Sequence, residues 1–197
     1  MPPLRALGSA QFRYPKGGPL DIIKALSRYL TFDGSRRKIV PVGSVRRGEP
    51  PPHKDIDVLV VMPTAPTKTP LITVLPRAAA RSPDAVTINS IRLLESGKRH
   101  NMIRISYTCA RDARRASSVI DMFITTPNEL PFALYHYTGP KSYNIRTRAH
   151  AKRNGMKLNQ YGLFYADTNR RVGRPIRSER DLAAALGVHY RAPQNRV

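Results

Sequence analysis

The strongest constraint on the fold is a set of three β-rich runs that follow one another between residues 86 and 127. Their sequences are VTINSIRLLESG, HNMIRISYTCA and SSVIDMFITTP, and the turns between them are GKR and RDARR. Runs rich in β-branched residues and joined by short turns predict adjacent strands of a hairpin-rich sheet. Helical patterns lie on both sides of these runs, so the chain is predicted to be α+β.

The first half of the chain is predicted to contain two helices and two further strands. PLDIIKALSRYLTF, which begins at Pro19, places Ile22, Ile23, Leu26, Tyr29 and Leu30 on one stripe, the spacing of an amphipathic helix that Asp33-Gly34 would end. KIVPVG and IDVLVVMP predict strands on either side of an extended loop formed by three successive prolines, residues 50–52. TPLITVLPRAAARS predicts a short helix.

The composition shifts toward helix and aromatic residues near residue 128. ELPFALYHYTG and PKSYNIRTRAHAKRNG predict helices, the second ending at Gly155, and KLNQYGLFYADTNRRVG predicts a hairpin. Ser178 begins a capping box before a last short helix that stops at Gly187. We therefore divide the chain at this point into 1–127, with residues 1–18 as an irregular lead-in, and 128–197.

The charge of the chain predicts an anionic partner. Thirty-four Lys and Arg residues against 13 Asp and Glu give a net charge of +21 and a pI near 11. Nucleic acid is the commonest polyanion for such a field. A membrane partner is not expected, because no stretch approaches about 18 consecutive apolar residues. The single cysteine, Cys109, and the lack of a signal-peptide pattern predict an intracellular protein.

Two acids stand two residues apart on a predicted strand. Asp55 and Asp57 therefore project from the same face of that strand. Close carboxylates repel one another unless a cation is present, and oxygen ligands favour Mg²⁺ or Mn²⁺. Asp121 is a third acid in an apolar strand, and if the two strands pair, three carboxylates can hold two metals roughly 3.5 to 4 Å apart for phosphoryl transfer.

A phosphate-binding turn is predicted ten residues before these acids. Gly43 and Ser44 directly follow a strand, where glycine allows a tight turn and the serine hydroxyl can donate to a phosphate. Arg47, one turn further on, can clamp a phosphate oxygen, and Arg46 beside it can assist. The short distance to Asp55 makes this arrangement more specific than the turn alone.

The Gly-Ser turn, the ten-residue spacing and the D-x-D pair resemble the signature of the polymerase-beta nucleotidyltransferase superfamily. The segment YTGPKSYNIRTRAHAKRNG resembles the corresponding part of the family X DNA polymerases. The resemblance runs from Lys38 to Arg196, about four-fifths of the chain, and is greatest to minimal viral members. It implies a palm with a mixed sheet and flanking helices, followed by a small helical and hairpin lobe.

The resemblance also implies roles for individual residues. The three acids would bind two Mg²⁺ ions and Asp121 would help to activate the primer 3′-hydroxyl. Asn144 and Arg148, which lie on one helix face, would contact the incoming base and the template. His136 would either engage the incoming base or pack at its helix end. The residues implied in dNTP binding are Gly43, Ser44, Arg47, His136, Tyr137, Thr138, Gly139 and Asn144; those implied in DNA binding are Arg148, Arg146, Lys152 and Arg153.

Some features depart from the family pattern or are specific to this chain. Val119 stands where longer members have an arginine, and Lys141 stands where they have an acid. The family often has a cis peptide after the glycine of the T-G segment, and Pro140 makes that isomer inexpensive here. About 37 residues precede the catalytic strand, too few for the lyase domain of larger members, so the positive charge of the body is expected to grip the DNA.

The function implied is template-directed filling of short gaps in base excision repair. Its partners would be gapped or nicked double-stranded DNA, dNTPs and a DNA ligase, and the protein would be a monomer. Resemblance to a viral member places it in host cytoplasm or the virion, and otherwise the nucleus is expected. Two alternatives remain: a non-templated nucleotidyltransferase acting on RNA or single-stranded ends, and a non-catalytic nucleic-acid-binding protein.

Overall fold

The structure is a computed structural model that describes residue 14 and residues 16–49, 55–74 and 85–196. Three of the sequence-based predictions fall partly or wholly outside these residues. They are the loop of residues 50–52, most of the lead-in of residues 1–18, and the C-terminal part of the short helix predicted around residues 69–82.

The described residues form a mixed α+β fold, as predicted. Its first part contains α1 (Pro19–Tyr29), β1 (Leu30–Phe32), β2 (Lys38–Pro41), α2 (Gly43–Arg47), β3 (Asp55–Val61), β4 (Ile72–Val74), β5 (Val86–Ser96), β6 (His100–Cys109) and β7 (Arg115–Thr125). Its second part contains α3 (Leu130–Thr138), α4 (Lys141–Arg153), β8 (Met156–Asn159), β9 (Gly162–Tyr165), α5 (Glu179–Ala185) and a 3₁₀ turn (Pro193–Asn195).

Two local predictions were wrong. Helix α1 ends at Tyr29, and Leu30, predicted on its stripe, begins strand β1 instead. The segment predicted as a short helix contains strand β4, whose residues Ile72 to Val74 pair antiparallel with β1. The short β1 segment is buried throughout, and a buried strand needs a partner for its backbone groups. That tertiary requirement outweighed the local pattern.

The central sheet has five strands in the order β2-β3-β7-β6-β5. Strands β3 and β7 are parallel, and the other neighbouring pairs are antiparallel. The parallel register places Asp57 opposite Asp121 and Asp55 opposite Val119. The predicted pairing of the two acid-bearing strands is therefore confirmed.

The two faces of the sheet have different surroundings. On one face Ile22 and Leu26 of α1 pack in the same buried cluster as Ile56 and Ile120. The opposite face carries the acids and is covered at β2 and β3 by α3, through a small cluster that includes Leu59 and Ala133. The alternation of the strands thus buries apolar side chains on the α1 face and leaves the acids on the other.

The second part of the chain has its own apolar cluster. Phe132 and Tyr135 of α3 pack with Tyr143 of α4, Leu163 of the β8–β9 hairpin and Leu182 of α5. The predicted hairpin and the helix ending near Gly155 are both present. The predicted N-cap of the last helix is present as well, because Ser178 Oγ accepts a 3.1 Å hydrogen bond from the Asp181 amide.

A buried ion cluster joins helix α2 to the second part of the chain. Glu179 accepts hydrogen bonds from Arg46 (2.5 Å) and from Arg196 (2.9 Å), and Arg46 also donates to the Thr138 hydroxyl (2.5 Å). Burial alone would raise the pKa of Glu179, but the two arginines outweigh it and hold the pKa below its ordinary value. The prediction that Arg46 assists the phosphate clamp is not met in this structure, because its guanidinium faces this cluster.

We expect Glu179→Gln to lower the free energy of unfolding by about 3 kcal/mol or more, because it leaves two buried guanidinium groups without a carboxylate. Urea denaturation followed by circular dichroism measures this loss. The matched control is Asp112→Asn, which removes an exposed carboxylate 3.8 Å from Arg114 and should change stability by less than about 0.5 kcal/mol. Equal effects of the two substitutions would contradict a structural role for the cluster.

Candidate active site

The turn between β2 and α2 lies directly against the acid-bearing strand. Gly43 has φ +58°, and a Cβ placed there would lie only 2.1 Å from Asp57 Oδ2. The turn is also held by the Val42 amide, which donates to the Asp57 carbonyl (3.0 Å). Only glycine combines this backbone conformation with such a close approach. The sequence-predicted phosphate turn and the acids are therefore in contact.

The carboxylates share one face of the sheet. Burial first, and then the charges of Asp121 and Asp55, raise the pKa of Asp57 to about 6, and Arg47 acts in the opposite direction. Across the described ranges, no three His, Cys, Asp or Glu side chains already stand close enough together to hold a metal ion. The backbone places the acids side by side, and their role as metal ligands stays a prediction.

Sequence reasoning missed His100, which contacts the third acid. Its Nε2 lies 2.9 Å from Asp121 Oδ1 and its Nδ1 lies 3.3 Å from Glu95, while its ring stacks on Phe123. Burial alone would lower the pKa of His100, but the hydrogen bonds to Asp121 and Glu95 outweigh it and raise the pKa. The contact depends on the strand register that pairs His100 with Phe123, and this register could not be predicted from the sequence.

A cleft of about 580 Å³ opens beside the turn and α4. It brings together nine of the residues predicted for the site, and Asp55, Asp121 and Thr138 do not line it. Thr138 is fully buried, with its hydroxyl bound to Arg46, so its predicted nucleotide contact is not met through the side chain. The nine predicted residues in the lining are Gly43, Ser44, Arg47, Asp57, His136, Tyr137, Gly139, Asn144 and Arg148.

Arg47 connects the phosphate turn to the second part of the chain. Its Nη1 donates to the Thr138 carbonyl and its Nε donates to Glu49 Oε1 (2.6 Å). A Cβ on Gly139 would lie 3.2 Å from this guanidinium, and Gly139 has φ +65°. The peptide bond between Gly139 and Pro140 is cis, as predicted. The T-G segment therefore lies directly against the clamp arginine.

Three predicted residues form a small polar group on the wall of the cleft. Asn144 donates to the His136 carbonyl (2.7 Å), and Arg148 Nη2 lies 2.9 Å from His136 Nδ1. Because a guanidinium has no acceptor, Nδ1 accepts this hydrogen bond. Burial, followed by the charge of Arg148, lowers the pKa of His136 to about 4, so its ring is neutral. Tyr137 stacks on Phe123 with ring centroids 4.1 Å apart.

The remaining predicted DNA-binding residues lie outside this cleft. Arg146 and Arg153 line a separate concavity of about 680 Å³ that also includes His150, His189 and Arg191. Lys152 is exposed. Their contact with DNA stays a prediction.

Of the helices in the described ranges, none combines the length and the apolar character needed to cross a bilayer.

Acids on a parallel strand pair beside a Gly-Ser turn define the class of nucleotidyltransferases. Two family models match the chain: Nucleotidyltransferase domain over residues 22–108 and DNA polymerase beta thumb over residues 133–197. With the relatives described next, these matches place the chain in family X of the DNA polymerases.

The similar proteins include viral and bacterial polymerases. Repair DNA polymerase X of African swine fever virus (isolate Pig/Kenya/KEN-50/1950) is 33% identical over 183 residues, 89% of this chain and 95% of the relative. The Tick/Malawi/Lil 20-1/1983 isolate's protein is 35% identical over 161 residues, 82% of each chain. DNA polymerase/3'-5' exonuclease PolX of Bacillus subtilis is 26% identical over 98% of this chain but only 30% of its own length.

We expect Gly43→Ala to abolish nucleotide incorporation, because the new methyl group would displace Asp57. The control is Gly34→Ala, where φ is +74° but a Cβ would meet no atom within 4 Å. Both variants should lose about 1–2 kcal/mol of stability from the left-handed conformation. Urea denaturation and primer extension measure the two effects, and equal activity in the two variants would contradict the role of the close approach.

Proposed function

We propose that this family X DNA polymerase fills short gaps by template-directed addition of dNTPs to a primer 3′-hydroxyl in base excision repair. The observation that carries the proposal is the register of Asp57 with Asp121 beside the Gly43 turn. The adjoining cleft is lined by both the turn and α4, so one space is open to phosphate-binding and base-contacting groups.

The acids fit a divalent metal, on which the nucleotidyltransferase family depends. Asp55, Asp57 and Asp121 offer only oxygen donors. Burial first, and then the charges of the other two acids, raise the pKa of Asp57, and a cation would relieve the repulsion between the charges. We propose two Mg²⁺ ions, for which Mn²⁺ can substitute, held by these three residues. When bound, such ions neutralise phosphate charge and favour deprotonation of the 3′-hydroxyl.

The chain's own groups would orient the reaction. Ser44 and Arg47 would hold the β- and γ-phosphates, since both line the cleft beside Asp57. The primer 3′-oxygen would attack the α-phosphorus and the bond from that phosphorus to the bridging oxygen would break, releasing pyrophosphate. Asp121 would accept the proton of the 3′-hydroxyl. His100 would hold the Asp121 carboxylate in place through its 2.9 Å hydrogen bond.

The cleft-lining residues of the second part of the chain would contact the sugar and the base of the nucleotide. The backbone at Tyr137 and Gly139 would lie against the sugar, and Asn144 would reach the base. The amide nitrogen of Asn144 is held by the His136 carbonyl, while its Oδ1 has no hydrogen-bond partner among the described residues and can accept from the base. Arg148 would exchange its contact with His136 for the template strand.

We propose that residues 1–127 act as the palm and residues 128–197 as the nucleotide- and template-contacting part. The net charge of +21 would supply affinity for gapped or nicked DNA, and Arg146, Lys152 and Arg153 would contact phosphates. A DNA ligase would seal the product. We also propose a monomer that acts inside the cell, in host cytoplasm or the virion if the source is viral, and otherwise in the nucleus.

The central test is extension of a primer across a one-nucleotide gap with each of the four template bases. We expect Mg²⁺-dependent addition of the complementary dNTP, and Asp121→Asn should slow it by about a thousandfold, as for loss of a catalytic base. Asp112→Asn, which changes an exposed carboxylate in the β6–β7 turn, is the matched control and should retain wild-type activity.

Other results would contradict the proposal in distinct ways. Equal activity on single strands with ribonucleotides would favour the non-templated alternative. Binding of gapped DNA with no turnover by the wild type would favour the non-catalytic alternative. Undiminished incorporation by Asp121→Asn would remove the proposed role of the third acid.

A further inference from the structure

The strand register places two arginines in the same cross-strand row as Asp55. Asp55 on β3 pairs with Val119 on β7, Val119 pairs with Arg104 on β6, and Arg104 pairs with Arg92 on β5. Paired residues point to the same face of a sheet. On β6 the flanking Ile103 and Ile105 are buried and Arg104 is exposed, so the arginines stand on the open face with the acids.

On one side of this row lies the row of Asp57 and Asp121, which continues through Met102 to Glu95 on β5. On the other side, the two following rows of the same face are polar and lack acids. The next row contains Ser117, Ser106 and Ser90, two of which share a 2.7 Å hydrogen bond, and the row beyond contains Arg115, Thr108 and Thr87. Arg, Ser and Thr side chains are those that commonly contact the phosphates and sugars of nucleic acids. An open sheet face of hydroxyl and guanidinium groups matches a polyanionic backbone in charge and in hydrogen-bonding character.

The placement of the two arginines is unfavourable within the protein itself. Like charges directly opposite on neighbouring strands destabilise a sheet. Neither Arg92 nor Arg104 has an ion pair or a side-chain hydrogen bond with the part of the chain that the structure describes. By contrast, Arg46, Arg47 and Arg99 each pair with a carboxylate. An anionic partner would remove this repulsion.

We propose that the face formed by Arg92, Arg104 and the adjoining Ser and Thr residues binds the sugar–phosphate backbone of the primer strand. We refer to these residues as the arginine row. The inference rests on the proposed function, because it takes the primer 3′-end to lie at the carboxylates. It adds a binding surface on β6 and β5, which lie two and three strands away from the strand that carries Asp55.

The strand spacing predicts which nucleotides are contacted. At about 4.8 Å per strand, Arg104 and Arg92 stand roughly 10 and 14 Å from Asp55. At about 3.4 Å per nucleotide along one strand, these distances correspond to about three and four nucleotides from the primer end. The surface therefore grips the primer upstream of the reacting terminus.

The first test measures binding of a fluorescein-labelled primer–template duplex by anisotropy at several salt concentrations. For the double variant Arg92→Ala with Arg104→Ala, we expect the slope of log Kd against log salt to fall by about 1.8 and Kd at 0.1 M salt to rise roughly tenfold or more. The matched control is Lys24→Ala with Arg36→Ala, which removes two exposed charges outside this face. Thermal unfolding verifies that both double variants are folded.

The second test locates the contact on the DNA. In one substrate, neutral methylphosphonates replace the primer phosphates at the third to fifth positions from the 3′-end. Wild type should lose affinity for this substrate relative to the unmodified duplex, and the Arg92/Arg104 double variant should show little further loss. The KM for dNTP should be unchanged in the double variant, because the arginine row does not line the nucleotide cleft.

Two results would overturn the inference. One is a salt slope for the Arg92/Arg104 variant that equals that of the Lys24/Arg36 control. The other is an equal loss of affinity by wild type and variant on the methylphosphonate substrate. The binding measurements need no turnover, so absence of primer extension by wild type would defeat the proposed function while leaving these two results readable.

Discussion

The buried pairing of Glu179 with Arg46 and Arg196 is the interaction on which the site depends. Consecutive arginines leave helix α2 in different directions: Arg46 enters this cluster and Arg47 faces the nucleotide cleft. A carboxylate buried between two guanidinium groups is strongly stabilised in one geometry, because separating them would leave a buried charge unpaired. The phosphate turn is therefore fixed to the second part of the chain.

The central sheet separates the apolar core from the reactive groups. Ile56, Val58 and Val60 face α1 and are almost fully buried, while Asp55 and Asp57 on the same strand face the other way. The tightly packed apolar face of the sheet holds the three acids in adjacent positions on the opposite face, although their charges repel one another. Burial first, and then the charges of Asp121 and Asp55, raise the pKa of Asp57, and a divalent cation on this face of the sheet would offset the repulsion between the charges.

Much of the candidate site was predictable because its motifs are local. The Gly43 turn, the Asp55 and Asp57 pair and the helix that carries Asn144 were all identified from spacing and resemblance. Contacts between distant segments were not predictable in the same way. Arg46 was assigned to phosphate binding because it neighbours Arg47, but its actual partner lies 133 residues away. Strand β4 and the contact of His100 with Asp121 likewise depend on distant partners.

The sequence by itself determined the α+β class, the alternation that puts the acids on one face and the positive charge that attracts polyanions. The class and the alternation follow from the spacing of apolar and polar residues over a few positions, and the charge follows from the composition. Only the tertiary structure decided that β3 and β7 pair with Asp57 opposite Asp121, and that Arg104 and Arg92 continue the row of Asp55. Register between strands is set by packing and turn geometry across the whole sheet, so it is not encoded in any one segment.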